Sequence, residues 1–147
     1  MKKFFKTYLI FIFLTSKILT QELSLLNTLF PINSKLIHKI PSPFFLGRPY
    51  FLEIFCDIPT DSLESISVFY KTDGSIEFRE EKLELFRGRY RFKYDPKIYP
   101  SKQLSYFFIV KVKKAGMYAF PVNNKGKLIP INIESIDPIK YYKNRIP

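Results

Sequence analysis

Arg89-Tyr90-Arg91-Phe92-Lys93-Tyr94 is the stretch that decides the fold. Three aromatic residues alternate strictly with three cations, so the aromatics point to one side and the cations to the other. This period of two marks a β-strand buried on one face and wetted on the other. The pattern repeats on both sides of it. Leu104, Tyr106, Phe108, Val110 and Val112 share one face of a long run. Ile66, Val68 and Tyr70 alternate with Ser65, Ser67 and Lys71, and Tyr50, Leu52, Ile54 and Cys56 share a face further upstream. No comparable helical repeat runs through residues 47–133. The expected fold is all-β, a single sandwich of about seven strands.

Glycine punctuates these runs. Asp73-Gly74 separates 67–72 from 76–79, Arg87-Gly88 separates 82–86 from 89–94, and Ala115-Gly116 separates 104–112 from 117–122. Each is expected as a hairpin turn, where backbone conformations open to glycine are needed. Asn124-Lys125-Gly126 makes a further reversal. Most of the eleven prolines lie in the connections and none in the middle of a candidate central strand, where each would delete a ladder hydrogen bond.

The 147 residues divide at the amino end. Lys2, Lys3 and Lys6 precede an uncharged, mostly apolar run from Thr7 to Ser16, closed by Lys17. The run is shorter than the roughly 20 residues of a membrane-spanning helix and fits the core of an export signal. Residues 1–21 are therefore expected to be a signal peptide, with no transmembrane segment in the mature chain. Residues 22–46 are expected to connect, with a first edge strand within 35–40. Residues 47–133 form the sandwich and 134–147 a tail. The whole chain carries 24 basic and 13 acidic residues, a net of +11; without residues 1–21, which hold four lysines and no acid, the net is +7. That charge is spread without a basic run, so no nucleic-acid partner is expected. An anionic glycan or membrane surface remains a candidate partner. The expected location is the periplasm or the cell surface.

The stretch from Gly47 to Val122 also resembles a bacterial extracytoplasmic immunoglobulin-like or fibronectin type III-like module. The shared elements are Gly47-Arg48-Pro49, Val68-Phe69-Tyr70, Gly88-Arg89-Tyr90, Asp95-Pro96, Leu104-Ser105-Tyr106-Phe107 and Gly116-Met117-Tyr118. It lacks the cysteine pair and core tryptophan of antibody domains, having one Cys and no Trp. The resemblance implies a binding or spacer module, without assigning a ligand. It also implies a structural role for Tyr106 as a "tyrosine corner", its hydroxyl bonding backbone across the sandwich.

Residue chemistry points the same way. The single histidine, His38, has no neighbouring Cys, Asp or Glu in the sequence and is expected at a surface or strand edge. Cys56 is expected as a small buried residue, with pairing between chains as the alternative. Glu80, Glu81 and Glu84 lack the spacing of a calcium loop and sit among Arg79, Lys82 and Arg87. No serine lies in a nucleophile elbow. No catalytic residue, metal site or cofactor is expected.

The sharper expectation concerns apolar residues on the wrong face. Phe69, Phe107 and Ile109 project opposite to the core set, beside Lys71 and Lys111, with Met117 adjoining. Such a patch marks a partner surface unless the chain's own 22–40 or 133–147 segment covers it, and self-coverage is the stronger of the two readings. The function expected is an exported, non-catalytic binding or structural module of the cell envelope acting through protein–protein contacts. The alternative is a carbohydrate-binding module, with Tyr141, Tyr142 or Phe78 stacking on sugar rings. A small envelope hydrolase is a remote third.

Overall fold

The structure is a computed structural model that describes residues 25–32 and 35–145. The expected signal peptide lies outside the described residues. Nine strands are present among the described residues: β1 (Leu36–His38), β2 (Tyr50–Cys56), β3 (Leu63–Thr72), β4 (Arg79–Lys82), β5 (Glu84–Phe86), β6 (Arg89–Tyr94), β7 (Gln103–Val112), β8 (Gly116–Phe120) and β9 (Ile131–Glu134). A short helix, α1 (Pro138–Lys143), follows.

The strands form two antiparallel sheets, ordered β1-β2-β6-β5 and β4-β3-β7-β8, with β9 extending the second sheet beside the early part of β7. The inward faces supply the core. Leu52 and Ile54 of the first sheet meet Val68, Tyr106, Phe108 and Val110 of the second, all essentially inaccessible to solvent.

Nine strands stand where about seven were expected, and the bounds differ between β3 and β6. The runs at 76–79 and 82–86 become 79–82 and 84–86, because the chain changes sheets there: β4 pairs with β3, and β5 pairs with β6. Leu83, between them, is buried in the core and donates its backbone N–H to the Ile66 carbonyl at 2.9 Å. β8 and β9 share one edge of β7 in succession.

The three glycine hairpins form, with differences at their tips. Arg87 and Gly88 both take positive φ, +50° and +77°, as a tight β5–β6 turn requires. At the β7–β8 turn Lys114 and Gly116 have φ of +61° and +88°. Gly74 does not adopt positive φ, because residues 73–78 form a wider loop that swings Phe78 back over the sheet.

The candidate interaction patch is not an open partner surface: of the two readings, coverage by the chain's own residues is the one found. Phe69, Phe107 and Ile109 do lie on the outer face of the second sheet, but they are buried, Phe107 at 1% exposure. Leu25 and Phe30 from upstream, Phe78 from the β3–β4 loop and Leu128 form a second apolar layer across them. The Phe69 and Phe107 rings stack in parallel at 5.1 Å, and the Lys71 ammonium lies 4.9 Å from the centre of the Phe78 ring. Met117, opposite Lys111 in the β7–β8 register, stays partly open at the rim. The upstream segment is tied down by backbone: Leu29 bridges Lys127, and the Phe30 N–H donates to the Gly126 carbonyl at 2.8 Å. The 134–145 segment docks elsewhere, its Ile136 N–H donating to the Phe44 carbonyl at 2.8 Å.

Candidate functional site

With the second sheet covered, the outer face of the first sheet is the exposed one. Alternation along β2 sends Leu52 and Ile54 inward, so Phe51, Glu53 and Phe55 point out. On β6 the same rule places Arg89, Arg91 and Lys93 on that face. Register sets Ile37 of β1 opposite Phe55, Glu53 opposite Arg91 and Phe51 opposite Lys93. After β1 the chain leaves the sheet, and Lys39–Pro43 stands as a wall. Between wall and sheet lies a groove of about 430 Å³ lined by Ile37, Ile40, Phe51, Phe55, Glu53 and Arg89, among others.

The wall is held in place by Tyr50, whose hydroxyl donates to the Pro43 carbonyl at 3.2 Å and accepts the Phe45 N–H at 2.6 Å. The apolar lining is exposed: Ile37 at 60%, Phe51 at 46% and Phe55 at 42%. The Arg91 guanidinium lies 4.7 Å from the Phe51 ring centre and 3.3 Å from that of Phe86, a pair of cation–π contacts that orients both rings. Arg89 reaches Glu53 at 3.5 Å in an exposed ion pair, a contact worth little at such exposure. A ligand can therefore recruit Arg89 at small cost.

Behind the groove sits His38, on the inward side of β1. Its Nδ1 lies 2.5 Å from the Glu53 carbonyl oxygen and its Nε2 2.8 Å from the Tyr106 hydroxyl. A carbonyl only accepts, so Nδ1–H donates to it; in the neutral ring Nε2 then accepts from the tyrosine. The imidazole also packs against the rings of Phe108 and Phe120. Tyr106 thus bonds a side chain across the sandwich, where its resemblance to a tyrosine corner implied a backbone partner. The difference arises because β1 places the histidine ring within reach first. Burial pushes the Tyr106 hydroxyl well above its ordinary range and lowers the His38 pKa below 6.5.

The sign of the resulting pH dependence follows. The unfolded chain takes up a proton on His38 near pH 6.5, before the folded one does, so the contribution to stability is complete above that pH. It is lost progressively as the pH falls through the folded value. The urea midpoint is expected to be level from pH 8 to 7 and to fall as the pH drops below about 6.5; His38→Gln is expected to flatten that fall. An unchanged slope in the variant would remove the histidine from the account. At the Asp73 carboxyl desolvation is outweighed by the sum of hydrogen bonds around it, which holds its pKa below 3.8 and so outside this window.

Cys56 is half-buried, with its thiol pKa raised mainly by desolvation, which suits packing rather than nucleophilic chemistry. Among the described residues no group of three or more His, Cys, Asp or Glu side chains converges as a metal site. Among them, too, no helix is long and apolar enough to cross a membrane. Of the aromatics considered for sugar stacking, Phe78 is buried in the outer layer, whereas Tyr141 and Tyr142 pack beside Phe45 with Tyr142 half exposed. Phe51 and Phe55 went unread in the sequence, although the same alternation that placed Leu52 and Ile54 inside places them outside.

No protein-family model matches the chain, and no curated protein matches it. Among solved structures it is similar to an endo-β-1,4-mannanase from Thermotoga petrophila, at 12% identity and a TM-score of 0.47. The match covers 73% of this chain and 21% of the mannanase. At that level of similarity it assigns no activity to this chain.

Proposed function

We propose that this β-sandwich is an exported, non-catalytic binding module of immunoglobulin-like type. Its groove on the first sheet takes a protein partner in the cell envelope. The observation that carries the reading is the exposed Ile37, Ile40, Phe51 and Phe55 lining of that groove, on a chain whose other sheet face is already covered by its own residues. The order β1-β2-β6-β5 against β4-β3-β7-β8 supports the immunoglobulin-like assignment, since one sheet then reads A-B-E-D and the other C′-C-F-G. The partner's matching surface carries apolar side chains for the groove and acidic groups for Lys39, Arg89, Arg91 and Lys93. Branched aliphatic residues such as Ile37 and Ile40 suit a protein surface better than a sugar ring.

Cross-linking in the native host, followed by mass spectrometry, tests this. Adducts are expected to form through residues 37–55 and to disappear in the Phe51→Ser/Phe55→Ser variant, while its unfolding midpoint stays within about 1 kcal/mol of the parent. Recovery of monomer alone, or of the same adducts in the variant, would overturn the reading.

One observation favours carbohydrate as a second reading. The Phe51, Phe55 and Phe86 rings all lie exposed on one sheet face beside guanidinium and carboxylate groups, a combination able to stack on and hydrogen-bond sugars. Retention on immobilised polysaccharides, abolished by the same double variant, would support it; absence of retention on any polysaccharide removes it.

A further inference from the structure

We infer that the solvent face of α1, with the 45–48 loop beside it, docks on an anionic phospholipid surface. This face shares no lining residue with the groove. Asp137 caps the helix, its Oδ1 accepting the Ile139 N–H at 2.8 Å. The Tyr141 and Tyr142 rings then pack on Phe45, with centroids at 5.2 and 5.9 Å. Helical spacing turns Ile139, Lys140 and Lys143 away from that contact. Two further cations flank the contact itself, at the rim of that face: Arg48, over the Phe45 ring at 5.1 Å, and Arg145, over Tyr141 at 4.4 Å.

All four cations are exposed. Asp137 keeps its negative charge in the cap, but the four cations outnumber it, and among the described residues none of the four forms an ion pair; Glu134 lies back on β9 opposite Gln103. Set among these charges are apolar side chains open to solvent: Ile139 at 67%, Tyr142 at 51% and Leu46 at 46% exposure.

Charge alone fits any polyanion. The aliphatic chains decide between them, since Ile139 and Leu46 gain nothing from a hydrated polysaccharide but can enter the boundary between head groups and acyl chains. Tyrosine, apolar in body and polar at its tip, suits the same depth. Attachment of this kind scales with the apolar area inserted plus the electrostatic attraction of the cations to anionic lipid.

Hydrogen exchange of the full chain with vesicles tests the inference, because it resolves where contact is made. Phosphatidylcholine vesicles containing phosphatidylglycerol are expected to protect residues 45–48 and 138–145, and vesicles of phosphatidylcholine alone are not. Lys140→Gln and Lys143→Gln are each expected to weaken vesicle binding about 5-fold, and Ile139→Ser to weaken it further, all three with unchanged denaturation midpoints. Protection confined to residues 1–24, or equal protection by neutral vesicles, would overturn the inference. So would soluble dextran sulfate protecting the same residues with no effect of Ile139→Ser, which would make the ligand an anionic polysaccharide.

Discussion

Phe107→Ala is expected to destabilise the protein by about 3–5 kcal/mol, the range for removing a fully buried phenyl ring. Phe107 lies on the outward side of a central strand, where a half-wetted sheet would tolerate the change. Here it is 1% exposed, stacked on Phe69 at 5.1 Å and met edge-on by Phe78 at 5.0 Å. Truncation leaves a cavity between the sheet and its covering layer, and the interior does not close around it. Against a net stability of about 5–15 kcal/mol for a domain, the loss is large enough to read as a displaced urea midpoint. Phe51→Ala, on the open face of the other sheet, is the control and is expected to cost under about 1 kcal/mol. Equal losses at the two sites would mean that the second sheet is not covered in solution.

Gly126→Ala is expected to cost about 2–4 kcal/mol from two separable sources. Gly126 sits at φ +75°, and a Cβ built there lies 2.4 Å from the Phe30 carbonyl oxygen. The left-handed conformation alone penalises alanine by roughly 1–2 kcal/mol. The remainder is the collision with backbone that cannot rotate aside, so the two segments must part and the Phe30 N–H to Gly126 carbonyl bond of 2.8 Å must lengthen. Gly88→Ala separates the terms, because Gly88 has φ +77° with open space around its missing Cβ. The Gly126 variant is expected to lose clearly more stability than the Gly88 variant. It should also lose hydrogen-exchange protection over residues 25–32. Equal losses, with that protection intact, would show that the close approach is relieved without detaching the segment.

Both predictions rest on the layer that the sequence reading left open between two occupants. Alternation along β3 and β7 placed Phe69, Phe107 and Ile109 correctly on the outer face, because side-chain direction in a strand follows from residue parity. Parity says nothing about what lies above the face. The covering residues come from positions far along the chain, and their approach depends on Gly126, which reads in sequence as an ordinary turn glycine. The groove was obscured by the same limit. Phe51 and Phe55 carry the parity signal as clearly as Phe107 does, but only the assembled sandwich shows which sheet keeps its outer face open. Likewise, His38 and Tyr106 stand 68 positions apart, and no local pattern joins them.

The alternation of residues 89–94, with its echoes in β2, β3 and β7, determined by itself that the chain folds into sheets with an aromatic core and turns at glycine. These are local consequences of side-chain spacing and backbone sterics. The tertiary structure alone decided that residues 82–86 divide between two sheets, that Leu25 and Phe30 close over one outer face, and that the other face keeps a groove. Those outcomes depend on which surfaces meet across the molecule, and burial is a property of the pair that meets, not of either sequence alone.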